Sequence, residues 1–537
     1  MVRCQPVTLY NSGLQSRLQH RAAIVPPVAQ PAAVPTMPLF TITTLGCKTN
    51  QYDSCAVASA LADAGLKPAT RDPASGRADL VVVNTCCVTT AAMRKSRHAI
   101  RQAVRASPQA VVFVTGCYAD YNPERIRAIL ADLEVPEARI IVAGHHDDLA
   151  LRINRLVRRM LAQGAGRTES NSCNSCCGGI GGDDISIKAR VCAEAAAAAG
   201  SLHTYIRKRR RAAVKNNFSG VEALPAIRHF DGHQRAFVKV QDGCDAFCSY
   251  CIVPYTRWRV WSRSIDEVEQ ECRRLVEAGH KEIVLSGVFL GAFGRATALR
   301  RRWAGRPSKL PELVRRIAAI DGLWRVRLSS LEPADMTDEL LAVCRETPRV
   351  APHFHLPLQS GSQSLLRRMN RQYSPQEYRR TVDALREALD RPAVTTDIIV
   401  GFPGESEADF AETLDLARGC RFAKIHAFPF SAVAGTAAWT YRHEAAPPEV
   451  IRRRMAELSE LEAELAADYR RQFLGQTMEG LVENARPSRP EERQAMTDRY
   501  QTIFFRADAG AEAGKVVPLK VTGIRRDGLA GEIAKRL

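Results

Sequence analysis

"KVQDGCDAFCSYCIVPY", residues 239–255, sets Cys244, Cys248 and Cys251 at the spacing C-x-x-x-C-x-x-C with no fourth cysteine close by. A structural zinc ion wants four protein ligands in a tetrahedron, so three leave such a site unfinished. A [4Fe-4S] cube held by three thiolates keeps one iron free for another ligand. Gly243 eases the turn ahead of the first cysteine, and the short spacing wraps one face of a cube. Zinc and an accidental spacing are the alternatives. The cysteines follow the apolar run "AFVKVQ" and so stand on a loop after a strand.

Five further apolar runs lie downstream: "EIVLSG", "WRVRLSS", "HFHLPL", "VTTDIIVGF" and "KIHAFPFS". Helical stretches separate them, which predicts a barrel-like parallel sheet of six strands with functional residues at the strand C-terminal ends. Upstream, "LFTITTLGC" (39–47), "ADLVVVNTC" (78–86) and "QAVVFVTGC" (109–117) alternate with helical stretches in the manner of an open parallel α/β sheet. Each run ends in a cysteine. Parallel strands present their C-terminal ends along one edge, so Cys47, Cys86 and Cys117 are expected to converge there, three scattered buried cysteines being the alternative. After a charged helix around 447–472, "QTMEGLVEN", "YQTIFFRAD" and "GKVVPLKVTGI" alternate apolar and polar residues. That pattern predicts a small β-barrel, a fold that often binds nucleic acid.

At 537 residues the chain is long enough for roughly three to four domains. The expected division is an extension over 1–37, an α/β domain over 38–148, a flexible insertion or linker over 149–230, the barrel over 231–465 and the small β-barrel over 470–537. The insertion is rich in Gly, Ser and clustered charge, with the basic run "RKRRR" at 207–211. Its Cys173, Cys176, Cys177 and Cys192 invite a zinc reading but lack any strand or turn framework, so disorder is expected. A net charge of +18 favours a polyanionic partner, a solvated basic surface being the bland alternative. No apolar run approaches the roughly 20 residues that span a bilayer, so no membrane role is expected. Sixteen cysteines without an apolar signal-peptide core point to a reducing compartment. Residues 1–37 hold Arg3, Arg17 and Arg21 and no acid. They read as an organellar transit peptide or an unstructured extension.

From the cysteine loop outward the chain resembles the radical S-adenosylmethionine enzymes, and among them the tRNA methylthiotransferase family. "TLGCKTNQYDS", "VVNTCCVT", "VTGCY", "IVLSGVFLGAFG", "RLSSLEP", "HLPLQSGSQSLLRRMNRQY" and "TDIIVGFPGE" match that family's motif series in order. The resemblance implies two [4Fe-4S] clusters, one on Cys244, Cys248 and Cys251 that chelates S-adenosyl-L-methionine and an auxiliary one on Cys47, Cys86 and Cys117. It implies a cofactor pocket at Ser286, Gly287, Ser329, Ser330, Glu332 and Gln359, where Ser330 or Gln359 taken alone suits a strand-capping role equally. It also implies a TRAM-like RNA-binding domain at the C-terminus, a tRNA anticodon stem-loop as partner, a flavodoxin- or ferredoxin-like reductant, an unidentified sulfur donor, a monomer and a cytoplasmic location, or an organellar one if residues 1–37 are a transit peptide. Cys87 falls at a variable position and reads as a bystander.

"GCKTN" with "KSRHAIR" is closest to the branch acting on N6-threonylcarbamoyladenosine. The isopentenyladenosine branch is the runner-up. Trp258 and Trp261 flank Arg259 where the family usually carries glycine and a polar or charged residue, and Val433 stands where arginine is common. These departures motivate a third reading, a non-catalytic iron-sulfur RNA-binding protein. His353 and His355 alternate on one strand and read as barrel-interior imidazoles rather than metal ligands.

Overall fold

The computed structural model describes residues 37–69, 78–145, 149–165, 226–227, 230, 233–303, 305, 307–485, 488–506 and 511–534. β1 (Leu39–Thr44), β2 (Lys67–Pro68), β3 (Leu80–Thr85), β4 (Val111–Gly116) and β5 (Ile140–Val142) form a parallel sheet in the order β2-β1-β3-β4-β5. β3 is buried at all six positions, as a strand covered on both faces must be, and that is why it reads as an unbroken apolar run. The helices Thr90–Ala106 and Pro123–Ala131 cover one face through Met93, Ile100, Val104 and Ile126. Lys48–Asp63 and Leu149–Ala165 cover the other through Val57, Leu61, Ile153 and Leu156.

The last of these helices corrects the expected linker. Residues 149–165 are helical and supply Leu149, Ile153, Leu156 and Val157 to the core of the first domain. The many arginines between the apolar positions disguise a face that repeats at helical spacing. At the far end of the same stretch, Ile227 and Phe230 are already buried in the barrel core. Cys173, Cys176, Cys177 and Cys192 lie outside the described residues, as does the extension up to residue 36.

All six expected barrel strands are present, with a two-residue addition: β6 (Arg235–Asp242), β7 (Trp261–Ser262), β8 (Glu282–Gly287), β9 (Arg325–Leu328), β10 (His353–His355), β11 (Ala393–Val400) and β12 (Lys424–Pro429). They hydrogen-bond as two sheets, β7-β6-β8-β9 and β10-β11-β12. A bridge between Val326 and Val350 and a bond from Leu331 N to His355 O (3.0 Å) cross the seam. Only β7 runs antiparallel. The helices outside start crisply because Ser264, Ser374 and Ser406 each form a capping box with the acid three residues on. Tyr52 and Ala56 of the first domain join the same apolar core. Among the described residues no helix is long and apolar enough to cross a membrane.

The helix Pro448–Arg471 leads into a closed barrel of β13 (Thr477–Val482), β14 (Glu492–Thr497), β15 (Thr502–Arg506), β16 (Val516–Arg525) and β17 (Gly528–Ile533), in the order β13-β14-β15-β17-β16. The turn between β14 and β15 enters the N-terminal mouth of the large barrel. Tyr500 stacks on His353 with ring centroids 4.6 Å apart, and the Arg327 guanidinium lies 5.0 Å from the tyrosine ring. Arg327 also donates to Asp498 O (2.7 Å) and Thr497 O (3.0 Å), and Arg325 donates to Met496 O (3.0 Å). Both arginines are buried and share one carboxylate, Glu282.

Burial alone would raise the Glu282 carboxyl, but Arg327, Arg325 and Arg235 hold it down to about 2. A depressed carboxylate contributes stability that is full above its unfolded value near 4.5 and is lost as the pH falls through about 2. Glu282→Gln strands two buried guanidinium groups, so at neutral pH it is expected to cost about 3–5 kcal/mol in chemical denaturation. The gap between variant and parent should close as the pH falls from about 4.5 towards 2.

Candidate functional site

Cys47, Cys86 and Cys117 follow β1, β3 and β4 at the C-terminal edge of the first sheet. Gly46 has φ +106°, and a Cβ there would lie 3.1 Å from Cys86 Cβ and 3.2 Å from Cys86 Sγ, so the backbone before Cys47 runs directly against Cys86. Asn50 pins both loops: its Nδ2 donates to Leu45 O (2.8 Å) and to Thr85 O (3.0 Å). Asn84 Nδ2 returns a bond to Asn50 O (2.8 Å). Burial, then the neighbouring Cys117 and Cys47, push the Cys86 thiol up to about 12. Cys117 moves the other way, to about 5, through a hydrogen bond from Cys87 and the positive charge of Arg257 and His145, against the cost of burial. Cys87 is fully buried, and its Sγ lies 3.3 Å from Cys117 O. Its place is in the packing behind the triad.

Cys244, Cys248 and Cys251 occupy the loop after β6. Gly243 has φ +79°, and any Cβ there would fall 1.8 Å from Arg259 O, so the return of the chain past this point admits only glycine. A second segment, read in the sequence only as part of a motif match, holds the loop from the side. Asn370 Nδ2 donates to Ala246 O (3.1 Å) and Phe247 O (2.9 Å), and Ser249 N donates to Met369 O (3.0 Å). Arg371 Nη1 donates to Cys248 Sγ (3.2 Å), and Arg371 Nη2 pairs with Glu332 Oε1 (2.8 Å).

Ser286, Gly287 and Ser329 stand at the C-terminal ends of β8 and β9, on the side of the cysteine loop. Ser286 Oγ donates to Val238 O (3.2 Å). Ser329 Oγ is buried and has no hydrogen-bond partner among the described residues, while Ser330 is exposed. Glu332 is engaged by Arg300 as well as Arg371. Gln359 has φ +67° and is tied to β11 by its backbone, N to Asp397 O and O from Ile399 N. His355 bonds to Thr395 (3.0 Å) and Asp397 (3.3 Å) inside the barrel.

The two cysteine sets meet at Arg257, buried and immediately after the short helix Val253–Thr256 that follows the cysteine loop. Its Nη1 donates to both oxygens of Asp242 (2.8 Å each) and its Nη2 to Asp53 Oδ2 (2.7 Å) and Asn50 Oδ1 (3.1 Å). Lys239 Nζ bridges the same two carboxylates, and His145 joins them to Asp120. Burial would raise the Asp53 and Asp242 carboxyls, yet Lys239 and Arg257 hold both well below the usual carboxylate range. Arg257 is also close enough to feel the charge of Cys117 and Cys47. Cys251, raised to about 12 by burial and Cys248, carries a further contribution from Cys117 of the other triad. Arg257 O accepts from Cys244 N (3.0 Å), and through Asn50 the same residue reaches the loops of Cys47 and Cys86, so one side chain and its backbone tie the two sets together. Ile252 and Val433 are buried in the apolar core of the first domain, so the valine found where arginine is common is a packing residue between the domains. Trp261 is 37% exposed at the edge.

Among the described residues no three His, Cys, Asp or Glu side chains are gathered tightly enough to hold a single metal ion. Three thiols on one loop, a guanidinium donor to one of them and an unpartnered buried hydroxyl nearby fit a cluster with an attached polar ligand.

Residues 238–417 match the Radical SAM superfamily and residues 39–135 match the Uncharacterized protein family UPF0004. A threonylcarbamoyladenosine tRNA methylthiotransferase of Bacillus subtilis (strain 168) is 32% identical over 480 residues, 89% of this chain and 92% of that protein. A namesake from Chlamydia pneumoniae is 30% identical over 92% of this chain and 98% of its own length. A tRNA-2-methylthio-N(6)-dimethylallyladenosine synthase of Anaeromyxobacter dehalogenans (strain 2CP-C) is 32% identical over 95% of this chain and 96% of that protein.

Removing the shared cation tests the junction. Arg257→Met leaves Asp53 and Asp242 buried with only Lys239 and His145 to neutralise them and is expected to cost about 3–5 kcal/mol in urea denaturation. Arg257→Lys should recover only part of this, because an ammonium cannot grip two carboxylates with a planar fork.

Proposed function

The chain belongs to the radical S-adenosylmethionine tRNA methylthiotransferase family, and from that premise we propose that it adds a methylthio group to C2 of N6-threonylcarbamoyladenosine beside the anticodon of tRNA. Membership makes it an enzyme acting on tRNA with S-adenosylmethionine and a [4Fe-4S] cluster. The choice of adenosine rests on "GCKTN" and "KSRHAIR", since identity to the threonylcarbamoyl and dimethylallyl enzymes is nearly the same. In this reading Cys244, Cys248 and Cys251 hold the cluster that binds S-adenosylmethionine, and Cys47, Cys86 and Cys117 hold a second, auxiliary cluster.

The observation that supports the two-cluster reading is the junction at Arg257, whose carbonyl accepts from Cys244 N (3.0 Å) while its guanidinium bonds Asn50 and Asp53 beside the first cysteine loop. When bound, the clusters and S-adenosylmethionine supply reductive cleavage of a carbon-sulfur bond and a radical able to attack an unactivated aromatic C–H. The chain's own part is orientation. Arg371 steadies Cys248 and, through Glu332, the floor of the pocket formed with Ser286, Gly287, Ser329, Ser330 and Gln359. Arg257, Asn50 and Asp242 keep the two loops at a constant separation. The closed C-terminal barrel takes the tRNA anticodon stem-loop in its TRAM-like role. A reductant of flavodoxin or ferredoxin type and a sulfur donor complete the partners.

Replacing Cys244, Cys248 and Cys251 together with alanine is expected to abolish 5′-deoxyadenosine formation. Replacing Cys47, Cys86 and Cys117 should remove about half the bound iron while S-adenosylmethionine cleavage under strong reductant persists without modified nucleoside. Full methylthio transfer by the second variant would rule out the auxiliary cluster. Mass spectrometry of tRNA nucleosides from a deletion strain should reveal loss of the methylthiolated threonylcarbamoyl form, whereas loss of the isopentenyl form alone would reassign the substrate.

A further inference from the structure

The helix Thr90–Ala106, "TAAMRKSRHAIRQAVRA", carries five Arg or Lys residues and no acid. Arg94, His98, Arg101 and Arg105 recur at i, i+4, i+7 and i+11, which aligns them along one side of the helix over roughly 16 Å, with the exposed Lys95 about a quarter-turn to the side widening the same basic face. Met93, Ser96, Ala99, Ile100 and Val104 take the opposite side into the core. Arg94, Lys95 and Arg105 are exposed and Arg101 half-buried. Among the described residues none of the four has a carboxylate partner, whereas Arg300, Arg371 and Arg454 in the barrel are each paired. Like charges one turn apart repel, so a stripe of this kind calls for a polyanion laid along it.

Its position supplies the second observation. Cys86 N donates to Ser96 Oγ (3.0 Å) and Ser96 Oγ donates back to Cys86 O (2.9 Å), so this helix is fastened to the auxiliary triad. At its start Thr90 N donates to Ser431 Oγ (3.0 Å) in the segment after β12. The stripe thus leads away from the edge at which the two cysteine sets meet. We propose that this stripe is a phosphate-binding surface for the stem of the substrate tRNA, separate from the C-terminal barrel. The proposal rests on the tRNA-modifying reading above. Contacts of this class carry no sequence information; they fix the register of the duplex while the target base enters the site.

The test uses the full chain with Arg94→Gln, Lys95→Gln, Arg101→Gln and Arg105→Gln combined, and fluorescence anisotropy on a labelled tRNA transcript over a salt series. Binding should weaken on the order of 100-fold near 0.1 M salt, with the slope of log affinity against log salt shallower by about 3. Lys95→Gln with Arg105→Gln should give about half that change in slope. S-adenosylmethionine cleavage without RNA, and the thermal melt, should match the parent, since glutamine is a good helix former and these side chains contact neither triad. Unchanged affinity and slope in the folded quadruple variant would overturn the proposal. So would unchanged RNA binding with slower cluster reduction by an acidic flavodoxin, which would assign the stripe to the electron carrier. A parent chain that failed to bind tRNA would remove the premise itself.

Discussion

The arrangement depends on one buried guanidinium. Arg257 comes from the loop that carries the second cysteine triad, and it is neutralised by Asp53 of the first domain and Asp242 of the barrel. A buried charge of this kind tolerates only one geometry, because any displacement leaves a carboxylate or a guanidinium desolvated and unpaired. Its contribution is therefore less to net stability than to register. It sets where the first sheet's edge sits against the mouth of the barrel, and hence how far the two sets of thiols stand apart.

A second charge cluster does the same at the other end of the barrel. Glu282, Arg325 and Arg327 receive the turn of the C-terminal barrel, and Tyr500 enters among them to stack on His353. Lys48, the residue after Cys47, reaches the same tyrosine ring at 6.0 Å. The C-terminal barrel, the catalytic barrel and the first cysteine loop thus share a chain of contacts through the barrel interior. The C-terminal barrel is in this way fixed in orientation relative to both the large barrel and the first cysteine loop.

The parallel strands and the two cysteine triads were legible because their signals are local. Unbroken apolar runs mark strands covered on both faces, and cysteines after glycine at three of the strand ends mark loops that must turn sharply. The helix Leu149–Ala165 was hidden because arginines are interspersed among the apolar residues that give it a face, and β14 and β17 because "ERQAMT" and "GLAGEI" carry little alternation. Tertiary closure, rather than local preference, makes those segments strands.

Spacing and periodicity along the chain specify the six parallel strands of the large barrel, the open sheet, three strands of the small β-barrel and the positions of the two cysteine triads. The packed fold alone brings Arg257, Asp53, Asp242, Lys239 and His145 into one network, and sets Arg371 and Asn370 to brace the cysteine loop. Asp53 and Arg257 lie about two hundred residues apart, and nothing in either neighbourhood names the other. Long-range ion pairs are a property of the packed solution, because their cost and benefit exist only once water has been excluded from both partners.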